Sequence, residues 1–188
     1  IIDSQQNNES IKYPLTFVGS SGYGFHELHT RRFLFLKKLH ENTSILSWLT
    51  EGSNDKIHSS KLSDLFSSKC FPAMYGSTMY NILKNSRLTV NIHSPQCGLY
   101  GNIRTFEATG MGACLITDFD QNISEIFEPD EEIITYQSID ECLEKIQYLL
   151  DHNDTCLQIA KAGQMRTIKD HNIEKRCLQI DHEIQNIL

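Results

Sequence analysis

The segment 104–117 constrains the fold of this 188-residue chain more than any other stretch. A short predicted helix carries Arg104 and Glu107, and Gly112 marks its end. The run 113–116 that follows reads Ala-Cys-Leu-Ile, and a continuous apolar run indicates a strand buried on both faces. A helix that leads directly into a buried strand is typical of the β-α units of a parallel sheet.

The same alternation of strands and helices extends along the chain. Short strands separated by helices predict an α/β fold class, a Rossmann-like doubly wound parallel sheet. Residues 1–12 are polar and are interpreted as a loose N-terminal segment or linker, and 13–188 as one domain. The predicted strands are 15–18, 44–49, 87–93, 113–116 and 132–136, the predicted helices are 25–40, 72–85, 138–150, 154–169 and 173–188, and 51–69 is predicted to be a loop.

Composition limits the classes of partner. The net charge is -7 and the pI is about 5.6, which argues against sequence-independent binding of nucleic acid and against an anionic membrane surface. No apolar run approaches the roughly 20 residues that span a bilayer. The six cysteines lack a C-x-x-C spacing, which favours reduced thiols and a cytoplasmic location over disulfides.

The first ten residues lack both an initiator Met and the features of a signal peptide. We therefore expect the chain to be a fragment or one domain of a longer protein.

The start of the helix that carries Arg104 has the chemistry of a phosphate site. A loop with Tyr100, Gly101 and Asn102 leads into Ile103, and free backbone N–H groups at a helix N-terminus favour anions. Arg104 can pair with phosphate, and Glu107, three residues later on the same face, can accept hydrogen bonds from sugar hydroxyls. This arrangement suits a nucleoside diphosphate. A purely structural salt bridge between the two side chains is the alternative.

Two other stretches are candidate ligand contacts. The glycine-rich turn 19–24, which includes Gly22, follows the first strand and precedes a helix. It matches neither the dinucleotide fingerprint nor the P-loop, so a flexible turn is an equal alternative to a phosphate loop. Arg31 and Arg32 could bring a cation to this turn, or could lie on a solvated helix face. His93 could touch a ligand, but without a second ligand pair we predict no metal.

Several motifs together resemble a known family. The segment 107–112, Glu-Ala-Thr-Gly-Met-Gly, is similar to the Glu-Ala-x-x-x-Gly segment in the C-terminal domain of GT-B glycosyltransferases. The nearer resemblance is to the CgeB-like (spore-maturation type) group, and it covers about residues 15–182. Its motifs appear here in order as Phe17–Gly19, Arg31 and Arg32, Tyr75–Gly76, Leu88–His93, Arg104–Ala108, Glu132–Tyr136, Ile159–Gly163 and His171–Arg176.

This resemblance implies a donor-binding domain that takes a nucleoside diphosphate sugar. Glu107 would hold the ribose, and Tyr75 and Gly76 would line the base. Arg104, as the catalytic group, and the backbone N–H groups of 101–103 would stabilise the leaving diphosphate without a metal or other cofactor. The implied reaction is hexosyl transfer to an acceptor hydroxyl on an unidentified glycan, lipid or protein.

The chain departs from the family in two ways. Many retaining members carry a second Glu eight positions before the ribose Glu, where this chain has Leu99, so the paired-Glu mechanism is not implied. The N-terminal acceptor domain of the family is also missing from these residues, and we expect it upstream. A non-catalytic module that binds a nucleotide or a protein is the alternative function.

Overall fold

The structure is a computed structural model that describes residues 11–22, 30–50, 66, 69–93 and 102–187. Its centre is a six-stranded parallel sheet with the strand order β3-β2-β1-β4-β5-β6. The strands are β1 (Tyr13–Ser20), β2 (Leu46–Thr50), β3 (Cys70–Pro72), β4 (Ser86–Asn91), β5 (Cys114–Asp118) and β6 (Ile134–Tyr136). The helices are α1 (Thr30–Asn42), α2 (Gly76–Lys84), α3 (Ile103–Gly110), α4 (Ile139–Asp151), α5 (Asn153–Asp170) and α6 (Ile173–Ile187), and a 3-10 turn covers Ile123–Glu125.

Helices cover both faces of this sheet, which confirms the predicted doubly wound α/β class. Alternate residues of a strand point to opposite faces, and β5 shows this directly. Its Cys114 and Ile116 pack into one apolar cluster with α1, α4 and α5. Leu115 packs into a second cluster with α2, α3 and Phe127. The continuous apolar run that predicted this strand is therefore explained by burial on both sides.

The edge strand β3 was not foreseen. The sequence predicted a helix beginning at Pro72, whereas Pro72 ends β3 and α2 begins at Gly76. Three residues are too few to show a strand pattern, and an edge strand tolerates proline because one side of it needs no backbone donor. The Phe71 ring stacks on Trp48 of β2, with 5.0 Å between ring centroids, so this contact joins the strand to the sheet.

The remaining predicted elements lie close to their expected bounds where the structure describes them. Ser138 caps α4, since its hydroxyl accepts from the Glu141 N–H at 3.2 Å. The start of the helix predicted from residue 25, nearly all of the loop 51–69 and most of the segment 1–12 lie outside the described residues.

Helix α5 fixes α3 against the sheet. A Cβ atom on Gly163 would lie 2.3 Å from the backbone oxygen of Glu132, so α5 packs directly on the chain before β6. Thr167 of α5 meets Thr109 of α3 through hydroxyls 2.6 Å apart. Gln164 donates to the Gly110 carbonyl at 3.1 Å. The helix that carries Arg104 and Glu107 is thus held along its back and at its C-terminal end.

Helix α6 contrasts with the others because it has no buried residue. Within the described parts of the chain, no helix is both long enough and apolar enough to cross a membrane.

Candidate functional site

The candidate site lies at the carboxyl edge of the sheet. The strand order reverses between β1 and β4, and in open α/β sheets ligands bind in the crevice at such a switch point, outside the carboxyl ends of the strands. Helix α3 begins at this edge, because Asn102, its N-cap residue, hydrogen-bonds Asn91 at the end of β4. The predicted ligand residues of α3 therefore face the edge where the fold places ligands.

A network of buried amides and hydroxyls orients the first turn of α3. The Asn102 side-chain oxygen accepts from the Thr105 N–H at 3.2 Å and from the Asn91 amide at 3.2 Å. The same Asn91 amide lies 3.3 Å from the hydroxyls of Thr105 and Thr117. Ile103, the first residue of the helix, is 72% exposed. The helix N-terminus is therefore fixed to β4 and β5 and opens toward solvent.

Arg104 and Glu107 form the ion pair that their spacing predicts. Arg104 Nη1 lies 2.7 Å from Glu107 Oε2, and both side chains are largely buried. This contact has the distance of an ion pair but not the angle of a hydrogen bond. The other oxygen, Oε1, accepts from the Tyr80 hydroxyl at 3.2 Å. Burial lowers the pKa of the Arg104 guanidinium, an effect that the Glu107 carboxylate opposes.

The His93 side chain contacts this helix start and forms hydrogen bonds through both of its ring nitrogens. Its Nε2 accepts from the backbone N–H of Asn102 at 3.3 Å, so the ring proton must sit on Nδ1. That Nδ1–H donates to Asp118 Oδ1 at 2.8 Å, and the His93 backbone N–H donates to the same oxygen at 3.0 Å. Although burial raises the pKa of the Asp118 carboxyl, these hydrogen bonds outweigh it and hold that pKa below its ordinary value.

The two neighbouring arginines at the start of α1 have different positions. Arg32 reaches the switch point, where Nη1 donates to the Ser20 hydroxyl at 2.6 Å and Nη2 donates to the Ile92 carbonyl at 2.9 Å. Burial lowers the pKa of Arg32, and the Asp118 carboxylate opposes this shift. Arg31 is exposed. Of the two cations considered from the sequence, Arg32 is the one within the crevice.

The remaining predicted residues surround this edge. Gly22 follows β1, is buried and has φ 76°, a conformation that favours glycine. Tyr75 precedes α2, is 70% exposed, and its hydroxyl lies 3.3 Å from the Thr50 hydroxyl at the end of β2. Gly76 has φ 56° and open space around it. Tyr100 and Gly101 lie outside the described residues.

Three contacts in this site were missed by the sequence reasoning. Tyr80 belongs to α2, and the helical pattern gave no signal that its hydroxyl would meet Glu107 of another helix. Ser20 at the end of β1 accepts from Arg32, and no local sequence pattern indicates this contact. Asp118 did carry a signal, because a carboxylate immediately after a buried strand sits at the ligand edge of a parallel sheet. Among the described residues, no group of three or more His, Cys, Asp and Glu side chains is arranged to hold a metal ion.

Sequence comparison identifies the family. The model of the glycosyl transferase-like family matches residues 32–182, so the chain belongs to this family. The sequence matches no curated protein.

Solved structures share the fold. Sucrose-phosphate synthase from Thermosynechococcus elongatus superimposes with a TM-score of 0.66 at 14% identity over 96% of this chain and 47% of that one. HepE from Anabaena, solved with UDP-glucose, gives a TM-score of 0.68 at 11% identity over 93% and 49% of the two chains. The chain therefore spans about half the length of these two proteins.

A third similar structure is itself a single domain. The C-terminal domain of a group 1 glycosyl transferase, LpcC from Francisella tularensis, gives a TM-score of 0.59 at 12% identity, with 87% of this chain and 88% of that one covered. The fold is thus that of the C-terminal half of a GT-B glycosyltransferase.

Proposed function

We propose that this chain is the donor-binding domain of a glycosyltransferase, which transfers a sugar from a nucleoside diphosphate sugar to an acceptor hydroxyl. One observation carries the proposal. Glu107 and Arg104 form a largely buried pair on the first turns of α3, at the carboxyl edge where this fold binds ligands. The family match and the UDP-glucose complex of the structurally similar HepE support the same class of ligand.

The groups at this edge divide between the two parts of the donor. Glu107 accepts hydrogen bonds from the ribose hydroxyls. The backbone N–H groups of 101–103 and the Arg104 guanidinium stabilise the charge that grows on the leaving diphosphate. One hydrogen-bond donor placed in this way typically contributes a few kcal/mol of transition-state stabilisation in acyl-transfer enzymes. Arg32 supplies a second positive charge at the switch point. In this proposal the reaction is independent of metals and cofactors.

The surrounding residues complete the proposed donor cleft. Tyr75 and Gly76 line the base at the ends of β2 and β3. The remaining proposed contacts to the nucleotide or the sugar are Gly22, Arg31, His93, Tyr100, Gly101, Asn102 and Ile103.

The finer assignments rest on the motifs of the sequence. We place the chain in the CgeB-like group, as a hexosyltransferase whose acceptor site lies in an upstream N-terminal domain, and in the cytoplasm. The acceptor is a glycan, a lipid or a protein. Transfer then requires both domains, because positioning the acceptor hydroxyl can supply roughly 7–11 kcal/mol of the lowering of the barrier.

Calorimetric titration with UDP, ADP and GDP tests the nucleotide site. The Glu107→Gln variant should bind the preferred diphosphate more weakly by about 1–3 kcal/mol, the scale for hydrogen bonds to a charged group. Glu144→Gln is a matched control, because Glu144 lies exposed on α4. Equal diphosphate affinities for the wild type, Glu107→Gln and Glu144→Gln would contradict the assignment of Glu107.

A non-catalytic nucleotide- or protein-binding module is the second candidate function. Leu99 in place of the second Glu favours it. Release of nucleoside diphosphate from a panel of sugar nucleotides, with and without EDTA, separates the two. The chain alone should show at most slow hydrolysis. Binding without turnover after the upstream domain is restored would favour the module, and loss of binding in EDTA would contradict the metal-free assignment.

A further inference from the structure

Tyr80 joins the candidate site from a different helix. It lies on α2, its side chain is 39% exposed, and its hydroxyl donates to Glu107 Oε1 at 3.2 Å. Its neighbour Met79 is buried, and the Met79 sulfur lies 2.9 Å from Arg104 Nη1. Helix α2 thus contacts both members of the Arg104–Glu107 pair through consecutive residues. The position of Tyr80 relative to Glu107 is therefore set by the packing of the two helices.

The two oxygens of Glu107 have different surroundings. Oε2 is buried against Arg104 Nη1, at 2.7 Å. Oε1 is the oxygen that the Tyr80 hydroxyl reaches. A carboxylate oxygen has two lone pairs, and a phenolic hydroxyl that donates its proton still accepts through its own oxygen. Glu107 Oε1 and Tyr80 Oη are consequently two hydrogen-bond acceptors that lie side by side, 3.2 Å apart.

The charge of Glu107 keeps the Tyr80 hydroxyl protonated. The carboxylate raises the pKa of the Tyr80 hydroxyl, with the hydrogen bond between them acting in the same direction. The phenol therefore remains protonated at neutral pH and continues to donate to Glu107. Its oxygen is left to accept from a second donor.

We propose that Tyr80 is a specificity-determining residue for ribose, and that Tyr80 and Glu107 together receive the two adjacent ribose hydroxyls of a nucleoside diphosphate. The 2′-hydroxyl donates to Tyr80 Oη and the 3′-hydroxyl to Glu107 Oε1, two acceptors that are spaced by one hydrogen-bond length. A deoxyribose lacks one of the two donors and leaves an acceptor of the pair unsatisfied. This inference rests on the proposed nucleotide function, and it makes the site selective for ribonucleotides.

The test is a comparison of ribo- and deoxyribonucleotide affinities. Calorimetry is performed with UDP, ADP and GDP and with their 2′-deoxy counterparts on the wild-type chain, Tyr80→Phe and Tyr148→Phe. The ratio of the two affinities should favour the ribonucleotide in the wild type. Tyr80→Phe should reduce that ratio roughly three- to tenfold, the equivalent of one hydrogen bond, while it leaves the deoxyribonucleotide affinity within about twofold. Tyr148→Phe should change neither, because Tyr148 lies on α4, where it stacks on His152.

The outcomes separate this inference from the proposed function. An unchanged ratio in Tyr80→Phe, or equal weakening of both nucleotides, overturns the role of Tyr80 even if Glu107→Gln weakens binding. If the wild-type chain binds none of the three diphosphates, the proposed function fails and the inference fails with it. Thermal melts of each variant establish that all proteins compared are folded. We expect Tyr80→Phe to fold, because the Tyr80 side chain is exposed.

Discussion

Arginines on two helices reach the same edge of the sheet by different means. Arg104 of α3 is paired with a carboxylate three residues along its own helix. Arg32 of α1 donates instead to the Ser20 hydroxyl and the Ile92 carbonyl, which belong to the chain around the ends of β1 and β4. The charge of Arg104 is neutralised by direct contact, whereas Arg32 meets neutral acceptors, with the Asp118 carboxylate acting on it electrostatically.

This difference separates local from long-range determinants of a site. The Arg104–Glu107 pair follows from helical spacing alone, because residues three apart share a face. The partners of Arg32 lie 12 and 60 residues away in the sequence, and only the closing of β1 against β4 brings them together. Arg32 therefore links the ends of β1 and β4, whereas the ion pair of Arg104 lies within α3.

The largest expected effect is that of Arg32→Met. The substitution keeps much of the side-chain volume but removes the donors to Ser20 and Ile92, and a buried acceptor left without a partner costs roughly 1–3 kcal/mol. The free energy of unfolding in urea should fall by that amount, and diphosphate binding should weaken at least about tenfold, as expected for a lost hydrogen bond to a charged group.

Lys37→Met is the control for loss of a positive charge from the same helix, because Lys37 is exposed on α1. Its free energy of unfolding should stay within about 0.5 kcal/mol of the wild type. If Arg32→Met and Lys37→Met lower the free energy of unfolding equally, Arg32 has no stabilising role beyond that of any other cation of α1.

A smaller and more selective effect is expected for Arg104→Met. If Arg104 faces the diphosphate, its loss should weaken binding of UDP by about 1–2 kcal/mol and binding of uridine by less. Calorimetry with both ligands measures the difference. Equal weakening would assign Arg104 to the support of Glu107 alone, and the comparison would then leave Arg32 as the cation of the diphosphate subsite.

The sequence predicted most of the fold, because the apolar run 113–116 marks β5 as a buried strand and short strands alternate with periodic helices along the chain. It failed at β3, where Cys70–Pro72 is too short for a pattern. For the site, it placed Arg104, Glu107 and Asn102 on one helix start. It could not place Tyr80 or the partners of Arg32, since these contacts depend on how separate elements pack.

The smallest effect concerns Asp118, the carboxylate that acts on Arg32 and accepts from His93. Its pKa is lower in the folded chain than its ordinary value, which is about 3.9. A carboxyl of this kind stabilises the fold fully above its unfolded pKa, and the contribution is lost as pH falls through the lower folded pKa. Asp118→Asn should therefore reduce the free energy of unfolding at pH 7 by an amount on the order of 1 kcal/mol. The difference from the wild type should shrink as pH falls below about 4.

Urea unfolding at a series of pH values measures this, with Asp181→Asn on the exposed α6 as the control. A difference that stays constant down to pH about 2 would show that Asp118 acts by its shape and hydrogen bonds rather than by its charge, and Arg32 would then lack the electrostatic partner that distinguishes it from Arg104.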